Sequence, residues 1–298
     1  MITMSKPISA SQAREYHKEE FANARDNYYT EGDHVRGEWQ GQLAARYGLA
    51  GEVYEEQFAR LAEGQHPATG EQLVRHQTAR EYVNANGETV RTMEHRAGWD
   101  ATFSAPKSVS LTALVGGDER VKEAHRESVR VALNEMEKYA QARIGGNAPA
   151  ETTGAWVVAK FEHDSSRPVD GYAAPQLHTH TVIFNIAETA DGTTRALQPQ
   201  ELYKTQQYAT AVYRSELSVR LQQLGYEIEH GEHGQPEIKG YTREYLEASS
   251  PRRQQITENF RAGSVWPRGG ADRGAQDARG EARFNAGAGA GAASGNGR

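Results

Sequence analysis

The 298-residue sequence predicts an α+β domain in which long helices cover one face of a largely antiparallel sheet. Two observations support this fold class. Segments rich in Val, Ile, Thr and Phe indicate strands, and they alternate with segments whose apolar residues recur at helical spacing. The order is helix, strands, helix, strands, helix, strands, so we expect the second face of the sheet to be free for a functional site.

Local patterns place each element. The expected helices, each with apolar residues at helical spacing, run from Ser9 or Ser11 through Tyr16 towards Arg25, over 43–61, over 118–139 with Asp118 as the cap, and over 202–224 before Gly225. The expected strands, each rich in β-branched or aromatic residues, span 99–105, 109–114, 156–163 and 177–186, and 226–228 with 236–238 is expected to form a short hairpin.

Composition sets limits on the class of protein. The chain has no cysteine, which excludes a disulfide scaffold, a thiolate zinc site and a cysteine nucleophile. Its formal net charge of -6 argues against a general nucleic-acid coat but leaves room for a local cationic groove. No run approaches the roughly 20 apolar residues of a membrane span, and no secretory signal pattern is present. We therefore expect a cytoplasmic protein that does not interact with membranes.

The composition changes near Gly263, where glycine and alanine begin to dominate. Such a segment buries too little apolar surface to offset the entropy of ordering it. We therefore expect one ordered domain over residues 1–260 and a disordered tail or linker over residues 261–298.

Three histidines carry the strongest chemical signal. His178 and His180 lie two residues apart on a predicted strand, so both side chains point to the same face, roughly 6.5–7 Å apart. If the chain turns back after the preceding strand, His163 can reach the same point. Three neutral imidazoles would leave open positions on a divalent ion, as in catalytic sites. The alternative is a set of ordinary surface or structural histidines.

The tyrosines include an unusual adjacent pair, Tyr28 and Tyr29, in a polar context, with Tyr16 lying 12 residues before Tyr28. A phenol with a pKa near roughly 10 needs a base or a cation before it can attack phosphorus. A metal held by histidines would supply the cation. Asp100, at the start of a predicted strand, is the candidate to orient a ligand imidazole or to accept a proton.

Several stretches of the sequence together resemble one known family. Residues 98–110 (Gly-Trp-Asp-Ala-Thr-Phe-Ser-Ala-Pro-Lys-Ser-Val-Ser) resemble the G-x-D-x-T-F-S-A-P-K-S-V-S signature of the TrwC/TraI-type (MobF) conjugative relaxases. The stretches 161–167 and 175–180 are similar to the three-histidine metal motif of that family. Shorter matches at 39–41, 224–226 and 252–256 extend the resemblance over about residues 8–260.

The resemblance implies a palm-like antiparallel sheet with helices mainly on one side, the fold of HUH endonucleases and relaxases. It implies site- and strand-specific nicking of single-stranded DNA at the transfer origin of a plasmid or integrative element, through a 5′-phosphotyrosyl intermediate. It also implies accessory relaxosome proteins, a type IV secretion coupling protein and a bacterial cytoplasmic location. The implied cofactor is a divalent ion, Mg²⁺ or Mn²⁺, with Zn²⁺ as the alternative.

The resemblance also assigns residues to roles. The implied assignments are a metal held by His163, His178 and His180, a supporting acid at Asp100, a first nucleophile at Tyr16, and a second tyrosine pair at Tyr28 and Tyr29. Lys107 and Arg167 are candidates for contacts with DNA phosphates.

The chain departs from the family pattern in two ways. The family usually has two Tyr-Tyr pairs seven or eight residues apart, whereas here the first pair is Tyr16-His17, so Tyr28 is the alternative nucleophile. The G-x-x-x-x-G-K-[ST] phosphate loop of a helicase is absent from the sequence, which excludes ATP hydrolysis by that motif.

Three other functions compete with a relaxase. A rolling-circle replication initiator would use the same chemistry, but the signature from Asp100 to Ser110 disfavours it. A non-catalytic module that binds single-stranded DNA is favoured by the irregular first tyrosine pair. A β-barrel metal oxygenase can also use His-X-His, but the long helices argue against it.

Overall fold

The computed structural model describes residues 1–17, 37–76, 81–83, 87, 89–91 and 94–261. One compact unit consists of Met1–Ser166 and Pro175–Tyr241, and a second consists of Arg167–Ala174 and Thr242–Arg298. The tail predicted over 261–298 lies outside the described residues, except for Arg261. Among the described residues, no helix combines the length and the apolar character that a membrane span requires.

The strands are, in chain order, β1 (Ile2–Met4), β2 (Ile8–Ser9), β3 (Glu38–Gln40), β4 (Glu81–Val83), β5 (Thr89–Arg91), β6 (Arg96–Ser104), β7 (Gln141–Ala142), β8 (Glu151–Thr152), β9 (Val158–Ser165), β10 (Pro175–Phe184), β11 (Ala187–Glu188), β12 (Thr194–Arg195), β13 (Ile228–His230) and β14 (Pro236–Ile238). The helices are α1 (Ala10–Tyr16), α2 (Gln42–Arg46), α3 (Glu55–Ala62), α4 (Lys107–Leu114), α5 (Glu119–Glu137), α6 (Gln200–Gln223), α7 (Arg243–Ala248) and α8 (Pro251–Arg261).

The main sheet of the first unit has the order β1-β6-β10-β9-β3, with β2 also paired to β6. Its pairings are antiparallel. This agrees with the α+β fold expected from the sequence. The longest strands, β6, β10 and β9, lie side by side in the middle, so side chains from three separate parts of the chain share each face.

One face of these central strands packs against the long helices. Trp99, Phe103 and Ile183 point to this face, and they are fully buried with Leu133 of α5 and Leu217 of α6. Burying a side chain of this size stabilises the fold by about 1.5–3 kcal/mol relative to leaving it exposed. The two helices were predicted to cover this face, and the structure confirms it.

The opposite face carries a second core at one end. Phe161 and Phe184 lie on this face, where the ring of Phe58 from α3 lies 6.0 Å and 5.1 Å from them, centre to centre. Leu43 of α2 belongs to the same core. The expectation of a wholly free face is therefore corrected. The first helices cover the end near Phe184, and the histidines lie beyond that core towards the other end.

The segment 109–114 was predicted as a strand, and this was wrong. It belongs to α4, which follows directly on Pro106. Because residues 108–113 are all buried, the helix shows no polar stripe from which its period could be read. Ser110 and Thr112 donate their hydroxyls to carbonyls four residues earlier, which is compatible with a helix.

The single helical pattern expected over 43–61 is two helices, α2 and α3. Gly48 and Gly51 separate them with φ values of 70° and 68°, a left-handed conformation that glycine adopts at little cost and that ends a helix.

Other element boundaries are confirmed. Ser9 caps α1 through a reciprocal capping box with Gln12. Asp118 caps α5 by accepting from the Arg120 backbone. Gly225 follows the C-cap of α6 with φ 94°, and β13 pairs with β14 as the expected hairpin. The continuation of the first helix towards Arg25 lies outside the described residues after residue 17.

The second unit contains α7 and α8 together with residues 167–174. Thr242 caps α7 by accepting from the Tyr245 backbone. In the segment 167–174, Val169 and Tyr172 exchange backbone hydrogen bonds around Asp170, whose φ is 50°.

Candidate active site

The strand register brings three predicted metal ligands onto one face. His178 of β10 pairs directly with His163 of β9, and His180 lies two residues further along the same strand. On the other side, His180 pairs with Thr102 of β6. Since paired residues in an antiparallel sheet point to the same side, the three imidazoles lie together on the central strands, near one end of the sheet.

The ring spacing fits a single bound ion. The centre of the His163 ring lies 5.3 Å from that of His178 and 5.4 Å from that of His180, and the latter two are 5.1 Å apart. A tetrahedral ion bound at the usual Zn–N distance would place ring centres about 5 Å apart. Among the described residues, however, no group of three histidine or carboxylate side chains already has the donor geometry of a formed metal site. The three rings therefore lie side by side, without the donor arrangement of a formed metal site.

The hydrogen bonds of two rings engage Nδ1 and leave Nε2 available to a metal ion. Nδ1 of His178 lies 2.9 Å from the Gln176 carbonyl oxygen, and Nδ1 of His180 lies 2.8 Å from Oδ2 of Asp100. A carbonyl or carboxylate can only accept, so each Nδ1 is the donor, and a neutral ring held in this way has its lone pair on Nε2. Among the described side chains, none reaches the buried Nε2 of His163 with a hydrogen bond. A buried nitrogen without a partner is costly in an apolar setting, and a metal ion bound to Nε2 would satisfy it.

Burial keeps two of these rings neutral. It is the main cause that lowers the pKa of His178 to about 4, with the neighbouring His180 as a further cause. Burial, followed by His178 and His180, also holds the pKa of His163 well below its ordinary value. Neutral imidazole is the form that binds metals, so both rings are ready to ligate at neutral pH.

Asp100 is placed to orient the ring of His180. Its side chain is buried next to His180, and Oδ2 also accepts from the Thr102 hydroxyl at 3.3 Å. Its backbone N–H donates to Ser5 Oγ at 2.9 Å. A carboxylate that accepts from Nδ1 fixes the ring orientation and makes Nε2 a stronger ligand.

The tyrosines are described only in part. Tyr16 is the last residue of α1, whereas Tyr28 and Tyr29 lie outside the described residues. The ring of His17, the next residue, lies 4.5 Å from that of Phe58 and 5.6 Å from that of Phe161. Phe161 pairs with His180. The end of α1 therefore lies at the border between the second core and the histidines.

The two residues predicted to contact DNA phosphates, Lys107 and Arg167, belong to different units of the structure. Lys107 begins α4, and its ammonium donates to the Pro175 carbonyl at 2.8 Å. Burial lowers the pKa of Lys107 to about 8, against the opposing effect of Glu237. Arg167 belongs to the second unit.

The sequence did not predict a cleft of about 450 Å³ in the first unit, whose charged lining residues are one carboxylate, Glu94, and the four arginines Arg75, Arg96, Arg143 and Arg195. Arg96 begins β6, far from the strand end that pairs with His178. Its guanidinium carbon lies 5.5 Å from the centre of the Trp99 ring. Because these arginines are spread over 120 positions of the sequence, no local pattern marks them.

Comparison with known proteins identifies relatives over most of the chain. Residues 10–291 match the family model of the TrwC relaxase. The chain is 38% identical over 270 residues to the multifunctional conjugation protein TraI of Escherichia coli. That match covers 87% of this chain and 14% of TraI, so the chain spans only a small part of that relative.

Solved structures share the fold. A metal-bound structure of the conjugative relaxase TrwC in complex with oriT DNA has a TM-score of 0.73 and 35% identity, covering 93% of this chain and 89% of that chain. TrwC complexed with a 27-mer DNA that comprises the recognition hairpin and the cleavage site has a TM-score of 0.71 and 34% identity, with the same coverage. These matches confirm the fold expected from the resemblance.

Proposed function

The chain belongs to the TrwC relaxase family, and we propose that it nicks and rejoins one DNA strand at a transfer origin. The observation that carries the proposal is the meeting of His163, His178 and His180 on one face of the sheet, with the Nδ1 atoms of His178 and His180 held by oxygen acceptors. The solved relative TrwC binds both a metal and oriT DNA, which supports the same pair of ligands here.

His163, His178 and His180 would hold a divalent ion through their Nε2 atoms, with Asp100 supporting His180. When bound, the ion would neutralise charge that develops on the scissile phosphate and would stabilise a phenolate. We propose Mg²⁺ or Mn²⁺ as the physiological ion, with Zn²⁺ as the alternative. Imidazole nitrogens bind Zn²⁺ more tightly than Mn²⁺. The ion that occupies the site therefore depends on the concentration of each ion in the cell as well as on its affinity.

The proposed reaction is a transesterification. The phenol oxygen of Tyr16 forms a bond to the scissile phosphorus, and the bond from phosphorus to the 3′ oxygen breaks. The electron pair stays on that oxygen, which gains a proton as the phenol loses one. The products are a 5′-phosphotyrosyl adduct and a free 3′-hydroxyl, and reversal rejoins the strand. Tyr28 and Tyr29 would act on a second strand end, and Tyr28 is the alternative first nucleophile.

The arginine cleft supports a DNA ligand. Guanidinium groups bind phosphates through paired N–H donors, and four of them line one cleft. We propose that it holds the DNA backbone at a distance from the scissile phosphate. The phosphate contacts of Lys107 and Arg167 stay predictions. The interaction with accessory relaxosome proteins and a coupling protein, and the cytoplasmic location, also stay predictions.

A covalent-adduct assay tests the proposal. The protein is incubated with Mn²⁺ or Mg²⁺ and a labelled single-stranded oligonucleotide from its own transfer origin, and the mixture is run on a denaturing gel. We expect a DNA-shifted protein band that EDTA and His178→Ala both abolish, and that a scrambled oligonucleotide does not give. Binding of the oligonucleotide without any adduct, across tiled oligonucleotides of the origin, would favour the non-catalytic DNA-binding module instead.

A further inference from the structure

The start of β10 departs from a regular ladder. Its pairing with β9 shifts register between Pro175 and His178. Such an irregularity takes backbone groups out of the strand ladder, and buried backbone groups need partners elsewhere. This bulge immediately precedes His178, so its shape decides what that imidazole contacts.

The segment around the start of α4 supplies those partners. The Lys107 ammonium donates to the Pro175 carbonyl at 2.8 Å, and the Leu177 N–H donates to Ser110 Oγ at 3.1 Å. The Ala105 N–H donates to the Leu177 carbonyl at 3.0 Å. Ser110 is fully buried and donates its hydroxyl to the Pro106 carbonyl at 3.1 Å. The bulge is therefore held on both sides of residue 176.

Gln176 lies at the centre of this arrangement. Its side-chain amide donates to the Ala105 carbonyl at 2.9 Å, and its own carbonyl accepts from Nδ1 of His178 at 2.9 Å. The fixed carbonyl selects the tautomer of His178 in which Nε2 carries the lone pair. The Gln176 carbonyl oxygen therefore orients the His178 ring through Nδ1, as the Asp100 carboxylate orients the His180 ring.

We propose that Lys107 and Ser110 are positioning residues for His178, which hold the bulge so that the Gln176 carbonyl keeps Nε2 available to a metal ion. The proposal rests on the metal site of the proposed function. It gives Lys107 a role different from a phosphate contact, since a DNA phosphate would have to compete with the Pro175 carbonyl for the ammonium group.

The state of the His178 ring in the metal-free protein provides the first test. Two-bond ¹H–¹⁵N correlation spectra are recorded for the wild type, Lys107→Met and Ser110→Ala, at a pH where the wild-type rings are neutral. We expect the wild type to show His178 as the single tautomer protonated at Nδ1, and both variants to show a mixture. Lys107→Arg, which keeps a cationic donor, is expected to retain the wild-type signal.

Metal affinity provides the second test. Titration calorimetry with Mn²⁺ is expected to show a roughly 10- to 100-fold loss for Lys107→Met and Ser110→Ala, the usual effect of removing a group that supports a metal ligand. Matched controls are Ser128→Ala, another fully buried hydroxyl that donates four residues back, and Lys138→Met, which pairs with Glu135. Neither control residue contacts β10 through these bonds, and both variants are expected to keep wild-type affinity.

The outcomes separate this proposal from the proposed function. If the wild type binds no metal, the proposed function fails. The spectra of the metal-free proteins still show whether Lys107 and Ser110 position the His178 ring. The proposal would be overturned if Lys107→Met and Ser110→Ala both kept the wild-type tautomer of His178 and the wild-type affinity for Mn²⁺. It would also be overturned if Ser128→Ala lost as much Mn²⁺ affinity as these variants, because that loss would indicate general destabilisation. Wild-type metal affinity in Lys107→Met together with weaker, less salt-dependent DNA binding would establish the phosphate contact instead.

Discussion

Nδ1 of His180 lies 2.8 Å from Oδ2 of Asp100, across two neighbouring strands of the central sheet. The sequence signature around Asp100 and the His-X-His motif are separated by almost 80 positions, and this contact joins them. It connects the acid to the proposed metal site through the ring of His180, so the two motifs belong to one cluster of side chains.

Replacing Asp100 by asparagine is expected to weaken binding of Mn²⁺ by about 10- to 100-fold. The neutral amide can still accept from His180, but it supports the lone pair on Nε2 less strongly than a carboxylate does. Titration calorimetry measures the change, with Asp191→Asn, which is bonded to Thr189 and Thr193, as the control. Equal affinity in Asp100→Asn and wild type would remove Asp100 from the metal site.

Replacing His163 by leucine is expected to leave the stability of the metal-free protein almost unchanged but to abolish its stabilisation by Mn²⁺. The buried Nε2 of His163 has no hydrogen-bond partner among the described side chains, so removing it costs the metal-free fold little or stabilises it. The wild type should gain about 2.7 kcal/mol in free energy of unfolding at 100 times the dissociation constant of the ion, and the variant should gain nothing. Urea unfolding with and without Mn²⁺ measures both. A metal-free variant that is several kcal/mol less stable would show that the ring is structural.

Stability is expected to depend on pH through His125. Burial is the main cause that lowers the pKa of His125 from its ordinary 6.5 to about 3. Its folded pKa is depressed, so the unfolded chain binds the proton more readily. The stability it contributes is complete above pH 6.5 and is lost as the pH falls towards 3. His125→Gln should flatten the slope of unfolding free energy against pH in this window by up to about 1.4 kcal/mol per unit. Parallel slopes in urea unfolding of the two proteins would contradict the assignment.

Replacing Tyr16 by phenylalanine is expected to abolish the covalent adduct with origin DNA, because the phenol oxygen is the proposed attacking atom. Tyr28→Phe is expected to keep the first nick. Both proteins should bind the oligonucleotide with wild-type affinity, which fluorescence anisotropy checks. Loss of the adduct only in Tyr28→Phe would reverse the order of the nucleophiles.

The arginine cleft is expected to bind phosphates. Arg143→Gln should weaken DNA binding similarly for all sequences, and should reduce the slope of log affinity against log salt by about 0.7–0.9 for each phosphate that the variant no longer neutralises. Arg130→Gln is the control, since Arg130 pairs with Glu127 on α5. Anisotropy titrations over a range of salt concentrations measure the slopes. An unchanged slope for Arg143→Gln would place the DNA elsewhere.

Much of the site could be predicted because it depends on strand alternation. His178 and His180 share a face by a two-residue period, and pairing with the preceding strand adds His163. The caps at Ser9 and Asp118 were predictable because helix capping depends on residues that are neighbours in the sequence. The residues alone made Asp100 a candidate, and the resemblance favoured it as the supporting acid; the structure places it beside His180.

The remaining features depend on tertiary packing. Helix α4 is buried on all sides, so its apolar residues follow no helical period. The carbonyl of Gln176 reaches His178 only because the strand bulges there. The arginines of the cleft come from distant parts of the chain. None of these arrangements leaves a pattern in a single stretch of sequence.

A crystal structure of the protein soaked with Mn²⁺, examined by anomalous scattering, tests whether the three histidines bind one ion. We expect one manganese peak within bonding distance of the Nε2 atoms of His163, His178 and His180, with Nδ1 of His180 still bonded to Asp100. A peak bound by only one or two of these rings, or located away from all three, would contradict it.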